Sequence, residues 1–222
     1  MESDTLNTVT QAGEQTEISQ LRTEAYRLAY GTQLKSYDFL QWDANDARAL
    51  VMYLRNAEGR MVASLRALLR LTQNAMEELF DIKSPAPIPV PTMALDRLVV
   101  LPSQRGKGLT HLFRYYLYAA SIGSVLKSFT FTINEGSSRI PLQQKLGFQF
   151  ATADTSHRLA SPYHNEAGVL LAHLSATDFA QACEITRERL LVNLTAVRRG
   201  DRFDSDVQRY LAQIAEVQSS TD

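Results

Sequence analysis

The sequence predicts an α/β fold with extra helices at its carboxy-terminal end. Three observations predict it: a strand, glycine turn and helix over Met93 to Ile122, a second strand and helix over Ser128 to Leu146, and a hairpin pattern over Ala49 to Leu69. With 222 residues, 45% of them hydrophobic, the chain is long enough for one sizeable core and short for two domains.

The elements follow in order. Met1 to Glu17 is polar and reads as a flexible lead. Ile18, Leu21, Ala25, Tyr26, Leu28 and Ala29 recur at helical spacing and stop at Gly31, a helix terminus. Ala49 to Leu54 and Met61 to Leu69 are β-favouring runs joined by the turn Asn56-Ala57-Glu58-Gly59. Ala75 to Ile82 reads as a short helix, which the prolines between Pro85 and Pro91 end, because proline lacks the amide donor. Met93 to Val100 is a strong strand, and Thr110 to Ile122 carries aromatics and leucines at helical spacing. Ser128 to Ile133 is a strand, Ser137 to Leu146 a helix closed by Gly147, and Phe148 to Ala151 extended again. Gly168 to Leu174 gives a last strand, with helices over Asp178 to Val197 and Asp204 to Val217. The expected organisation is a lead over 1–17, a domain over 18–175 and a helical extension over 176–222. The extension packs on the domain, closes over an internal tunnel or makes a homodimer contact.

The net charge is -1, and acids and bases are read as interspersed, so nothing broad attracts a nucleic-acid backbone. Cys183 is the only cysteine; an internal disulfide is excluded, and the residue reads as a small buried hydrophobe. The start lacks a secretory pattern and no apolar run reaches the ~20 residues of a membrane span, which leads to a cytoplasmic expectation. The histidines are dispersed without zinc-like spacing or companion cysteines, and no metal is expected.

A helix that starts directly after a glycine turn presents unpaired amides and the positive end of its dipole, which suits phosphate. In Arg105-Gly106-Lys107-Gly108 the glycines allow close approach of a ligand, and Arg105 and Lys107 add charge. Alone, such a turn also reads as purely structural.

The stretch Leu98 to Thr110 resembles motif A of the GNAT acyltransferases, a strand ending in Arg-x-x-Gly-x-Gly/Ala, with Thr110 departing at the final position. Leu142-Gln143-Gln144-Lys145-Leu146-Gly147-Phe148 resembles the family's second signature, Leu-Tyr-x-Lys-Leu-Gly-Phe. The resemblance implies a GNAT fold, whose central sheet is mixed and mostly antiparallel, flanked by helices. It also implies a thioester co-substrate, acyl-CoA or acyl carrier protein, held by Val99, Val100, Leu101, Arg105, Gly106, Lys107, Gly108, Leu109 and Thr110, with no tightly bound cofactor. Gln143 replaces a tyrosine that in relatives protonates the leaving thiolate. Glutamine is no acid, so another group or water protonates the thiolate, or it leaves unaided.

The first half resembles the acyl-homoserine lactone (autoinducer) synthases and the long-chain N-acyl amino acid synthases. Arg22 and Tyr26, Asp43 and Asp46, Arg66, and Arg97 carry this resemblance. The synthases' Glu-x-Ser-Arg reads Ala94-Leu95-Asp96-Arg97 here, which points to an amino acid acceptor without ring closure. Arg22, Asp43, Asp46, Arg66 and Arg97 are the candidate acceptor-binding residues, and the same set also reads as a structural ion-pair network. Trp42 reads as a packing anchor.

Acylating an amine needs a base or water chain, for which Asp96 and Glu135 are the candidates. Strand alternation is expected to turn Asp96 and Arg97 to opposite faces. The resemblance places backbone amides near Val99 against the thioester carbonyl. Asn134 reads as a contact to the pantetheine arm or a turn former, and His164 and Asn165 as a loop lining the acceptor pocket or a polar surface. The function expected is N-acyl transfer, long-chain, from acyl carrier protein or acyl-CoA to the amine of an amino acid or similar small molecule. The rivals are an acetyl-CoA-dependent N-acetyltransferase and a non-catalytic thioester-binding module.

Overall fold

The computed structural model describes residues 3–31, 37–157, 168–190 and 197–219. Its elements are β1 (Thr5–Thr8), α1 (Ala12–Tyr30), β2 (Leu50–Arg55), β3 (Met61–Arg70), α2 (Gln73–Phe80), β4 (Thr92–Val100), α3 (Leu109–Ser121), β5 (Ser128–Asn134), α4 (Ile140–Lys145), β6 (Gln149–Thr152), β7 (Val169–Ser175), α5 (Phe179–Glu188), β8 (Arg198–Arg199) and α6 (Phe203–Ser219). They form one sheet in the order β6-β7-β5-β4-β3-β2-β1-β8. It is mixed and mostly antiparallel, with parallel pairs only at β1–β8 and β4–β5.

Several boundaries move. The polar lead holds a strand, since Thr5–Thr8 pairs with β2 and fully buries Leu6. Helix α1 starts at Ala12, where Gln11 and Glu14 form a reciprocal capping pair. Its buried stripe is Ile18, Ser19, Leu21, Arg22 and Ala25, whereas Leu28 is exposed. Helix α4 starts at Ile140, not Ser137, because Pro141 belongs in a first turn. Helix α5 ends at Glu188 instead of reaching Val197, and Arg198–Arg199 joins the sheet beside β1.

The strand alternation of β4 sorts its side chains between two cores. Met93 and Leu95 enter the main core with α1, α3, α5 and α6, while Ala94 joins Met76, Phe80 and Leu171 under α2. Phe129 of β5 meets Tyr118 of α3 and Phe179 of α5 at centroid distances of 5.0 and 4.9 Å. The carboxy-terminal helices pack on this same body: Cys183, Phe203, Val207, Tyr210 and Ile214 are buried in the main core. The Tyr210 hydroxyl accepts from the Leu69 amide at 2.8 Å and donates to the Arg48 carbonyl at 3.2 Å, which ties α6 to the loop before β2.

Gly147 closes α4 with φ at 93°, and an added Cβ would stand 3.2 Å from Leu174 Cδ1. Gly147→Ala is expected to cost about 1–3 kcal/mol in urea unfolding, from backbone strain plus crowding. Gly136→Ala, where a Cβ meets nothing within 4 Å, serves as the control and should change stability by less than about 1 kcal/mol.

Candidate active site

The pairing of β4 with β5 stops early. Only Thr92, Met93 and Ala94 pair with Ser128, Phe129 and Thr130, although β4 continues to Val100 and β5 to Asn134. Beyond that rung the strands separate. On the other edge β4 stays paired with β3, and the Leu101 amide donates to the Val62 carbonyl at 3.0 Å. Antiparallel alternation therefore turns the Val99 amide toward β3 and the Val100 amide toward the opening.

At the end of β4 the chain turns through Gly106 and Gly108, with φ of 80° and 76°, into α3. Left-handed backbone at both positions is what the two glycines supply. Among the described residues, no backbone carbonyl accepts the amides of residues 106–110, and the first amide of α3 to find one is His111, on Gly108. Free donors at a helix start are suited to an anion.

A cavity of about 390 Å³ joins the two features. Its lining is Ala25, Tyr26 and Ala29 of α1, Leu98, Val99 and Val100 of β4, then Gln104, Arg105, Gly106, Gly108, Leu109 and Thr110, and Arg139 at the start of α4. Most of the residues expected to hold the thioester thus lie together. Leu101 is buried in the core beneath, Lys107 turns out to Gln104 Oε1 at 2.7 Å, and Asn134 is not in the lining. Tyr26, set edge-on against Phe39 at 5.7 Å, and Arg139 join the site from elements that the glycine turn does not announce.

Arg139 belongs to a charge pattern that the reading of interspersed charge overlooks. From Arg97 to Ala153 the bases are Arg97, Arg105, Lys107, Arg114, Lys127, Arg139 and Lys145, and the one acid is Glu135. Among the described residues neither Arg105 nor Arg139 pairs with an acid.

The candidate acceptor residues converge into one array. Arg22 grips Asp46 with two bonds of 2.8 Å, both side chains fully buried. Arg97 reaches Asp46 at 2.7 Å and Asp43 at 2.6 Å. Arg66 donates to Asp43 at 3.1 Å and embraces Asp96 with Nε and Nη2. The Asp46 amide donates to Asp43 at 2.8 Å and the Asp43 amide to Asp46 at 3.1 Å, so the short turn after Trp42 is folded around the two carboxylates. Trp42 packs half-buried on the core, and its amide donates to Ser19. Inside, the array is structural; its outer edge is Asp43, Asp96 and Arg97, with side chains 38%, 20% and 15% exposed.

Asp96 and Arg97 both enter this array, against the expectation that alternation would part them. Arg97 has φ of 48°, and the β3–β4 register slips between Ser64 and Arg66, so a bulge turns two successive side chains the same way. Glu135 lies elsewhere: it is exposed, its carboxylate sits over Gly168, and Thr152 donates to it at 3.4 Å. Gln143 is buried, and its Oε1 accepts from Arg114 at 2.8 Å. His164 and Asn165 lie outside the described residues.

Among solved structures the chain is similar to the CoA-dependent acyl-homoserine lactone synthase BjaI, with SAM and isopentyl-CoA, at 14% identity and a TM-score of 0.63, covering 93% of this chain and 98% of that one. A second CoA-dependent acyl-homoserine lactone synthase, MesI, gives 14% identity and a TM-score of 0.57 over 86% and 98%. The ribosomal-protein-S18-alanine N-acetyltransferase from Escherichia coli gives 14% identity and 0.51 over 78% and 94%. This is the GNAT fold. No protein-family model matches the chain, and no curated protein matches it. In the GNAT fold of this chain the open edge of β4 from Leu98 to Val100 and the glycine turn line one cavity, while Asp43, Asp96 and Arg97 lie outside its lining. No helix among the described residues is long and apolar enough to cross a membrane.

Removing Arg22 leaves the buried Asp46 with Arg97 at 2.7 Å and Arg66 at 3.5 Å and gives the array an uncompensated negative charge, so Arg22→Met should cost on the order of 3–5 kcal/mol, against less than about 1 kcal/mol for Arg60→Ala at the exposed pair with Glu24, both read by urea unfolding. Burial alone would raise the Asp43 carboxyl, but the Asp46 amide and the Arg97 and Arg66 guanidiniums outweigh it and hold it below the ordinary 3.8. A depressed folded pKa gives stability that is present above about pH 4 and lost as pH falls through the folded value. Asp43→Asn should therefore lose less stability than wild type between neutral pH and pH 3.

Proposed function

We propose that the protein is an N-acyltransferase that takes its acyl group from the thioester of a phosphopantetheine arm and passes it to the amine of an amino acid or similar small molecule. The observation that carries this reading is the continuity of the cavity, from the amides of residues 106–110 to the open edge of β4 at Val100. The diphosphate end of the arm is received by those amides and by Arg105. The arm fills the gap left by the parted strands, and the Val100 amide polarises the thioester carbonyl, where negative charge develops during attack.

The acceptor approaches the outer edge of the arginine and aspartate array. Arg97 faces its carboxylate and Asp43 its ammonium, while Asp96, already bound by Arg66, is the second carboxylate on this edge and orders the attacking amine. The solved structures of similar fold are CoA-dependent acyl-homoserine lactone synthases and an N-acetyltransferase, which supports acyl transfer with acyl-CoA as donor. The basic stretch between Arg97 and Ala153 supports an anionic donor, acyl-CoA or acyl carrier protein. A long acyl chain and a cytoplasmic setting complete the proposal.

Purified protein offered acetyl-CoA, long-chain acyl-CoA and long-chain acyl carrier protein with pooled amino acids should release thiol and form a long-chain N-acyl amino acid, identified by mass spectrometry. Acetylated product alone would replace the long-chain donor by acetyl-CoA, and thioester binding with no product would overturn the reading. Arg105→Gln should raise KM for the preferred thioester roughly tenfold or more at unchanged kcat, because the lost contact is equal in ground and transition states.

A further inference from the structure

Two arginines line the cavity, and the glycine turn accounts for only one of them. Strands β4 and β5 run parallel where they pair, so the turn after Val100 and the segment after Asn134 leave the sheet at the same end. Arg105 follows the first strand and Arg139 the second, and both belong to the lining of the same cavity. Each is exposed, and among the described residues neither forms an ion pair with an acid. The lining contains no acidic side chain among the described residues. Glu135, the acid closest to Arg139 along the chain, has its carboxylate over Gly168 and accepts from Thr152 of β6 at 3.4 Å, on the side of β5 away from β4.

An exposed arginine without a partner is ordinary by itself. Two of them on one cavity, with the turn amides between the strands they follow, give that cavity more positive charge than a single phosphate uses. The chemistry of the arm supplies the difference. On a carrier protein the pantetheine is joined to a serine through one phosphodiester. On CoA it is joined through a diphosphate to an adenosine whose ribose bears a further phosphate. The turn amides and Arg105 suffice for the phosphate that both carriers share.

We propose that Arg139 is the specificity residue for the thioester, pairing with the adenosine-side phosphates that CoA carries and a carrier-protein arm lacks. This rests on the acyl-transfer reading above and deepens it by naming CoA as the carrier. A guanidinium suits the role because its planar fork binds phosphate oxygens in pairs. Its exposure sets the size of the effect: water and salt screen the pair, so Arg139 tunes the choice of carrier while the turn amides and Arg105 hold the arm.

Titration calorimetry needs no turnover and separates the two claims. The probes are CoA, dephospho-CoA without the ribose phosphate, phosphopantetheine with its single phosphate, and acyl carrier protein bearing the arm. Arg139→Gln should weaken CoA roughly tenfold and phosphopantetheine less than about twofold, whereas Arg105→Gln should weaken both. Arg139→Lys should recover part of the CoA affinity, and the loss in Arg139→Gln should shrink at high salt. Dephospho-CoA assigns the contact: sensitivity equal to that of CoA places Arg139 on the diphosphate, and insensitivity places it on the ribose phosphate. Arg139→Gln that weakens CoA and phosphopantetheine equally, or weakens neither, overturns the inference alone, as does a loss confined to the carrier protein. A wild type that binds none of the probes overturns the acyl-transfer reading and this inference with it.

Discussion

The left-handed backbone at Arg97 is the constraint on which the site depends. A non-glycine residue at φ of 48° in a central strand stores strain, and such strain persists only where surrounding contacts over-determine it. Here the contacts are the Asp43 and Asp46 carboxylates on the Arg97 guanidinium, themselves fixed by Arg22, Arg66 and the turn after Trp42. The bulge shifts the phase of β4 by one residue. Asp96 and Arg97 then share one side, and beyond the bulge β4 faces its open edge with the Val100 amide instead of pairing with β5.

This arrangement divides labour between charge and backbone. The array neutralises itself: three arginines meet three aspartates, so it anchors α1 and the turn after Trp42 to the sheet without placing a net charge in the core. The cavity beside it is furnished by amides of the turn and of β4, which need no side-chain ordering to act. Arg97 is neutralised inside the array, and the cations that line the cavity without an acidic partner among the described residues are Arg105 and Arg139. A chain of net charge -1 thus presents positive charge where an anionic arm would lie.

Local features were legible in the sequence, and features made by distant pairing were not. The hairpin over β2 and β3 and the glycine turn before α3 announce themselves, because positive φ at Gly59, Gly106 and Gly108 is a local demand. Strand β1 is hidden because Thr5–Thr8 is polar and is recruited by β2 across the chain, with Leu6 as its one fully buried apolar anchor. The bulge is hidden for a related reason: period-two alternation predicts opposite faces for Asp96 and Arg97, and only the partners on β3 and in the turn after Trp42 reverse it. The arginines and aspartates of the array could be read as a set, but which of them are sealed inside and which reach the edge is decided by packing. Arg139 gave no motif, and the acid-poor stretch around it was the signal available.

The most direct test of the central claim is amide hydrogen exchange with and without a non-reactive thioether analogue of long-chain acyl-CoA. The account predicts slowed exchange at residues 106–110 and at Val100, with little change across the groove that α1 forms with Trp42. Protection confined to that groove, or none at the turn and Val100 at saturating analogue, would contradict it.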